Sequence, residues 1–166
     1  MFQVGDVIAH PMHGAGVIAE IETRKIGGAS RDYYVLRLPV GGMEVLIPTE
    51  TCEAIGVRSI VDEAEADRII ASIPDMEISE DSNWNKRYRD NMYKIKSGNL
   101  MHVASVIKSL VLRDADKGLS TGERKMLHSA KLILVSELSL SKHAASEEIE
   151  SLILEAIRPG LSESAL

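Results

Sequence analysis

The chain has few of the residues that define secreted, disulfide-stabilised or membrane-spanning proteins. One cysteine occurs among its 166 residues, so no intramolecular disulfide can form, and we expect Cys52 to be a small buried hydrophobic residue. Aromatic residues make up only 4% of the chain, so aliphatic side chains must build its cores. No apolar run approaches the length of a membrane span, and the first residues lack a signal-peptide pattern. We therefore expect a soluble cytoplasmic protein with no membrane partner.

Basic residues are also in deficit, since the net charge is −6 at neutral pH. An even distribution of this charge would argue against nucleic-acid binding, but two neighbouring segments are opposite in sign. Residues 61–81 contain eight acids and one arginine, a net charge of −7, whereas residues 82–113 contain seven bases and one acid, a net charge of +6. The second segment predicts a local basic surface that attracts polyanions.

The first third of the chain has the composition of short strands joined by tight turns. Segments rich in β-forming residues alternate with turns that contain glycine and proline. The expected strands cover residues 2–9, 16–24, 33–38 and 43–47. So many short strands within sixty residues predict a small antiparallel barrel or a strongly bent sheet.

The remainder of the chain has helical periodicity. Ser59 is the expected cap of the first helix, and Ser120 with Glu123 has the spacing of a capping box. The expected helices cover residues 59–72, 83–96, 100–118, a segment that begins at Ser120, and 146–157. We predict an α+β chain of two domains: residues 1–58 as a β-barrel, residues 59–160 as an all-α domain with an acidic linker over about 73–82, and residues 161–166 as a tail.

No pattern in the chain predicts catalysis. Gly14-Ala15-Gly16 lacks the third glycine and the following helix that a dinucleotide site requires. His10 and His13 lie in a predicted turn without other ligands nearby, and the remaining histidines are dispersed over helices. We therefore expect no enzyme activity, no cofactor and no metal.

The segment from Ser82 to Arg89 contains the only tryptophan and the densest run of bases. Trp84 shares one helical face with Tyr88 and Ile95, which is typical of a core stripe. Trp84 also falls in the first helical turn, where an aromatic side chain can project past the helix and wedge into a minor groove. The candidate DNA-binding residues are Trp84, Lys86, Arg87, Arg89 and Lys94. The residue pattern alone leaves two interpretations open: DNA contact, or a structural tryptophan beside solubilising charges.

Motifs along residues 2–157 together resemble the stand-alone CarD-like (CdnL-type) bacterial transcription regulators. Their order and spacing carry the resemblance. The motifs are Phe2-Gln3-Val4-Gly5-Asp6, His10-Pro11-Met12-His13-Gly14, Ile21-Glu22-Thr23-Arg24, Asp32-Tyr33-Tyr34-Val35-Leu36, Ile47-Pro48, Asn83-Trp84-Asn85-Lys86-Arg87-Tyr88, Ser97-Gly98, Arg113-Asp114 and residues 118–127.

This resemblance implies a Tudor-like or SH3-like N-terminal domain that binds the RNA polymerase β subunit, followed by a helical domain that meets promoter DNA. It assigns polymerase binding to the positions of Arg24 and Leu46, although some members have an arginine where this chain has Leu46. It assigns Trp84 to the minor groove at the upstream edge of the melted promoter, with basic neighbours on the DNA backbone. The expected effect is a more stable open complex, with weak sequence specificity.

The resemblance also implies a nucleoid-associated protein, which we expect to act as a monomer. The polymerase-binding module is shared with the transcription-repair coupling factor, but no Walker loop is present here. The alternative is a module that binds only proteins, on polymerase or on a repair motor, without direct DNA contact. That alternative predicts a buried Trp84.

Overall fold

The computed structural model describes residues 1–78 and 81–161. Its N-terminal part is one antiparallel sheet with the strand order β4-β3-β2-β1-β5. The strands are β1 (Val7–His10), β2 (Gly14–Ile26), β3 (Ala29–Arg37), β4 (Glu44–Pro48) and β5 (Arg58–Ser59), and a short helix, α1 (Cys52–Ile55), lies between β4 and β5. The predicted bent antiparallel sheet is confirmed, and the first strand begins at Val7 where the sequence indicated residue 2.

Strand β5 and the start of the next helix differ from the prediction. Ser59 does not cap a helix, because it pairs with Ile8 of β1 in the sheet. The cap is Asp62, whose side chain accepts a hydrogen bond from the backbone amide of Glu65 at 2.8 Å. A two-residue strand is stabilised by its distant partner, so local sequence gives no signal for it.

The C-terminal part is helical, as predicted. Its helices are α2 (Glu63–Ser72), α3 (Trp84–Lys96), α4 (Leu100–Asp116), α5 (Thr121–Lys142) and α6 (Ser146–Ile157). Ser120 and Glu123 form both bonds of the predicted capping box at the start of α5. None of the helices in the described ranges combines the length and the hydropathy that a bilayer crossing requires.

The start of the expected acidic linker over 73–82 is packed against the helices. Ile73–Asp75 forms a 3-10 turn, and the Ile73 side chain is 1% exposed. The buried ammonium of Lys108 donates hydrogen bonds to the carbonyl oxygens of Ile73, Pro74 and Met76, at 2.9, 2.9 and 2.8 Å. The first residues of the segment therefore belong to the helical part, while 79–80 and most of the predicted tail, 162–166, lie outside the described residues.

The two parts have separate cores and a close contact between them. Tyr34 and Leu36 lie in the core of the sheet, where Cys52 is buried as expected, whereas the helices bury their own aliphatic cluster. At the contact, Ser136 Oγ of α5 accepts a hydrogen bond from the Ala15 amide of β2 at 2.9 Å. A Cβ atom at Gly14 would lie 2.4 Å from the same oxygen, so the two backbones can approach only because position 14 is glycine.

An ion pair adds to this contact. The carboxylate of Glu137, which is 1% exposed, accepts two hydrogen bonds from the guanidinium of Arg58, at 2.7 and 3.0 Å. It accepts a third from the Val61 amide at 2.9 Å. A buried carboxylate with three donors is well compensated, and it connects the end of β5 to the C-terminal half of α5.

Candidate nucleic-acid interface

Trp84 is the first residue of α3 and lies at the edge of the helical core. Asn83 caps the helix, since its side-chain oxygen accepts a hydrogen bond from the Lys86 amide at 3.0 Å. Along the predicted apolar stripe, Ile95 is 2% exposed and Tyr88 is half-buried, but Trp84 is 41% exposed. The stripe therefore leaves the core at its N-terminal end, and the indole remains accessible to a partner.

The accessible indole is held on one side. Its ring stacks on Tyr88 with a centroid separation of 5.1 Å and an interplanar angle of 21°. Its Nε1 donates a hydrogen bond to Ser120 Oγ at 3.2 Å. Because the single polar hydrogen is already bonded, the indole presents apolar ring surface to its surroundings.

Lys86 lies two residues after Trp84 in α3 and carries a charge that its surroundings stabilise. Its ammonium is 3.0 Å from the Asp81 carboxylate, and the hydrogen bond that it donates to this carboxylate raises the pKa of Lys86. The pKa of Asp81 is lowered, first by the Asn83 amide and then by Lys86. Arg89 is exposed and Lys94 is half-buried on the same helix. Lys86 and Arg89 of the predicted set thus supply cations on the solvent side of α3.

Arg87 is placed differently from the other predicted DNA-binding residues. It is 8% exposed, and its Nη1 donates a hydrogen bond to the carbonyl oxygen of Asp81 at 3.0 Å. Its Nη2 lies 3.9 Å from a carboxylate oxygen of Glu123, an oxygen that Arg113 Nε approaches at 3.8 Å. This placement does not fit the expectation that Arg87 holds the DNA backbone. Its partners are a carbonyl that precedes α3 and a carboxylate of α5, so the spacing within α3 could not reveal the burial.

Ser120 was missed as a site residue. The sequence signal was present, because Ser120 and Glu123 form a recognisable capping box. That signal identifies the start of a helix and says nothing about a tryptophan 36 positions away. The contact between Trp84 and Ser120 depends on how α3 packs against α5.

The two predicted polymerase-binding residues lie on one face of the sheet. Leu46 of β4 pairs with Val35 of β3, and Val35 pairs with Glu20 of β2, so these three side chains lie on the same face. Arg24 is four residues after Glu20 on β2, and an even spacing along a strand places its side chain on that face too. This is the face opposite the buried core of the sheet. The Arg24 side chain is 49% exposed, and a hydrogen bond to Glu22 raises its pKa; Leu46 is half-buried.

The histidines that were considered as metal ligands form only a pair. The rings of His10 and His13 are 4.5 Å apart, and His10 Nδ1 accepts a hydrogen bond from the Met12 amide. Burial, followed by the proximity of His13, lowers the pKa of His10. Within the described ranges, no three histidine, cysteine or acidic side chains gather as a metal site would require.

The comparisons with known proteins place this combination of a small antiparallel sheet, a helical domain and a basic helix with an accessible tryptophan among the bacterial transcription regulators. The chain belongs to the CarD-like family of this class. The family model of the CarD-like/TRCF RID domain matches residues 2–61, and that of the CarD C-terminal domain matches residues 68–154.

One curated relative is similar over nearly its whole length. It is the protein named "Putative transcription factor YdeB" of Bacillus subtilis (strain 168). The two are 35% identical over 151 residues, which cover 91% of this chain and 99% of the relative. The predicted family is thereby confirmed, and the fold of residues 2–61 is that of the Tudor-like domain that the family model describes.

Proposed function

We propose that this transcription regulator docks on the RNA polymerase β subunit through the outer face of its sheet and stabilises the promoter open complex. In this proposal Trp84 enters the minor groove at the upstream edge of the bubble, and Lys86, Arg89 and Lys94 contact the DNA backbone. The observation that carries the proposal is the 41% exposure of Trp84 at the start of a basic helix.

The chemistry of the exposed indole suits a wedge. Apolar side chains that enter the minor groove unstack neighbouring bases and stabilise bent or opening DNA. The Trp84 N–H is bonded to Ser120, so the ring surface has no free donor with which to read base edges. Weak sequence specificity, set by the ease of DNA deformation, follows from this arrangement.

The charge of the chain makes tethering to polymerase necessary. A protein of net charge −6 repels free duplex, and the few bases on α3 compensate for this only locally. Docking on polymerase replaces free encounter by a high effective concentration at the promoter. The match of residues 2–61 to the CarD-like/TRCF RID domain model supports the polymerase as the docking partner. A protein tethered in this way would be found with the nucleoid.

The alternative, a module that binds only proteins, predicted a buried tryptophan. The exposure of Trp84 supports DNA contact over this alternative. The basic side chains of Lys86 and Arg89 belong to the first turns of the same helix, from which they can contact phosphates of DNA that the indole enters.

Replacement of Trp84 by alanine tests the proposal. We expect Trp84→Ala to shorten the lifetime of the promoter open complex about tenfold, because loss of one aromatic–base contact costs ~1–3 kcal/mol. The lifetime is measured by challenging preformed polymerase–promoter complexes with a competitor. Capture of polymerase should be unchanged, and the thermal midpoint should shift little, since much of the indole is already in water.

Tyr93→Ala is the matched control. Tyr93 is an aromatic residue of the same helix and is 76% exposed, but it lies outside the contact between Trp84, Tyr88 and Ser120. We expect this variant to keep most of the wild-type lifetime. A large loss of thermal stability in Trp84→Ala, without a specific effect on the open complex, would assign the tryptophan to the core and contradict the proposal.

A further inference from the structure

The hydroxyl of Ser120 is shared between Trp84 and the first turn of α5. Its Oγ accepts hydrogen bonds from Trp84 Nε1 and from the Glu123 backbone amide, both at 3.2 Å. Its O–H donates to a carboxylate oxygen of Glu123 at 3.1 Å. One donor and two acceptor sites are all that a serine hydroxyl has, so the group is fully used.

The orientation of this hydroxyl is fixed by the Glu123 carboxylate and the guanidinium groups around it. Glu123 is 3% exposed, and its other carboxylate oxygen lies between two guanidinium groups, 3.9 Å from Arg87 Nη2 and 3.8 Å from Arg113 Nε. A carboxylate held in place by two cations directs the Ser120 O–H toward itself. One lone pair of Ser120 Oγ then accepts from the Glu123 amide and the other faces the indole, so the buried Arg87 contributes to this arrangement from within α3.

We propose that Ser120 is a positioning residue for Trp84 and, together with Tyr88, presets the plane of the indole for entry into the groove. The stack on Tyr88 fixes the ring face, and the bond to Ser120 fixes the rotation of the ring within that plane. Ordering a side chain before binding reduces the entropy lost on binding. The role of Ser120 in DNA contact rests on the proposed function, whereas its hold on the indole can be tested in the free protein.

The test compares Ser120→Ala, Ser120→Thr and Asp62→Ala in the full-length chain. Trp84 is the only tryptophan, so acrylamide quenching of its fluorescence reports on this side chain alone. Asp62→Ala is the matched control, because Asp62 caps α2 as Ser120 caps α5 but lies outside the contacts of the indole. The second measurement is the lifetime of the promoter open complex with RNA polymerase.

In Ser120→Ala we expect about twofold more quenching of the Trp84 fluorescence. We also expect the open complex to decay about fivefold faster, which is the change in rate that the loss of one hydrogen bond gives. Ser120→Thr retains the hydroxyl and should restore both values, and Asp62→Ala should change neither. Equal quenching in Ser120→Ala and Asp62→Ala would overturn the proposal, because Ser120 would then be a helix cap only.

A second result would also overturn the proposal. It is increased quenching in Ser120→Ala with an unchanged lifetime of the open complex, when Trp84→Ala does shorten that lifetime. If Trp84→Ala itself leaves the lifetime unchanged, the proposed function fails. The quenching comparison then decides by itself whether Ser120 holds the indole.

Discussion

Three neighbouring basic side chains at the start of α3 have three different environments. Lys86 pairs with Asp81 at the surface, Arg87 is buried beside Glu123, and Arg89 is exposed. A guanidinium that is 8% exposed cannot bind a phosphate without disrupting the start of the helix. Only the first and the third of these side chains are therefore available for the DNA backbone.

Charge reversal at Lys86 or Arg89 should weaken the promoter effect in a salt-dependent way. Each lost phosphate contact should reduce the slope of log affinity against log salt by about 0.9, because fewer counterions are released on binding. The measurement is polymerase–promoter affinity in the presence of the chain over a salt titration. Arg68→Glu, on the exposed side of α2, is the control and should keep the wild-type slope. Equal slopes in all the variants would exclude phosphate contact by α3.

Sequence alone could identify Trp84 as a candidate but could not decide its exposure. Its helical spacing places it in the same stripe as Ile95, and whether such a residue is buried depends on where the neighbouring helices end. The burial of Arg87 and the bond to Ser120 were unpredictable for the same reason. Both depend on side chains that other helices contribute.

At the scale of elements, local signals were reliable and distant pairings were not. The capping box at Ser120 and the glycine-rich turns predicted α5 and the strand segments, because each signal involves residues within one turn. Strand β5 was missed because Arg58 and Ser59 become a strand only through β1. The register of β2, β3 and β4, which the sequence did not predict, determines that Arg24 and Leu46 share the outer face.

The proposed docking of polymerase on the outer face of the sheet can be tested by charge reversal. Arg24→Glu should abolish capture of the polymerase β subunit in a pull-down, because it reverses an exposed charge on the proposed docking face. Lys25→Glu is the matched control, since Lys25 is the next residue of β2 and its side chain points to the opposite face. Unchanged capture by Arg24→Glu, or equal loss in both variants, would place the docking surface elsewhere.

At the scale of the whole molecule, Glu137 connects the sheet to the helices and therefore the two proposed binding surfaces. The sheet and the helices touch through Arg58, Glu137 and the close approach of Gly14 to Ser136. A protein that docks with one domain and wedges with the other needs a rigid connection, because a loose joint would spread Trp84 over many positions. The ion pair supplies rigidity where the chain passes from β5 to α2.

Glu137→Gln should therefore impair the promoter effect while leaving both surfaces intact. We expect a stability loss of about 2 kcal/mol, less than for a fully buried ion pair because the Arg58 side chain is 36% exposed. Chemical denaturation gives the stability, and pull-down with open-complex decay gives the function. Glu150→Gln, which breaks the partly exposed pair with Lys131, is the control and should change little. A full promoter effect in Glu137→Gln would show that the joint need not be rigid.

The pairing of β1 with β5 has a consequence for how such proteins arise. Ile8 of the first strand lies opposite Ser59 of the last, so the chain enters and leaves the sheet at neighbouring points. A module whose ends are adjacent can be fused to different downstream domains without rethreading its interior. The description of the matching family model, which covers both CarD-like proteins and TRCF, fits this reuse. The two-residue strand at Arg58 and Ser59 is thus a domain boundary at which gene fusion can join a different downstream domain.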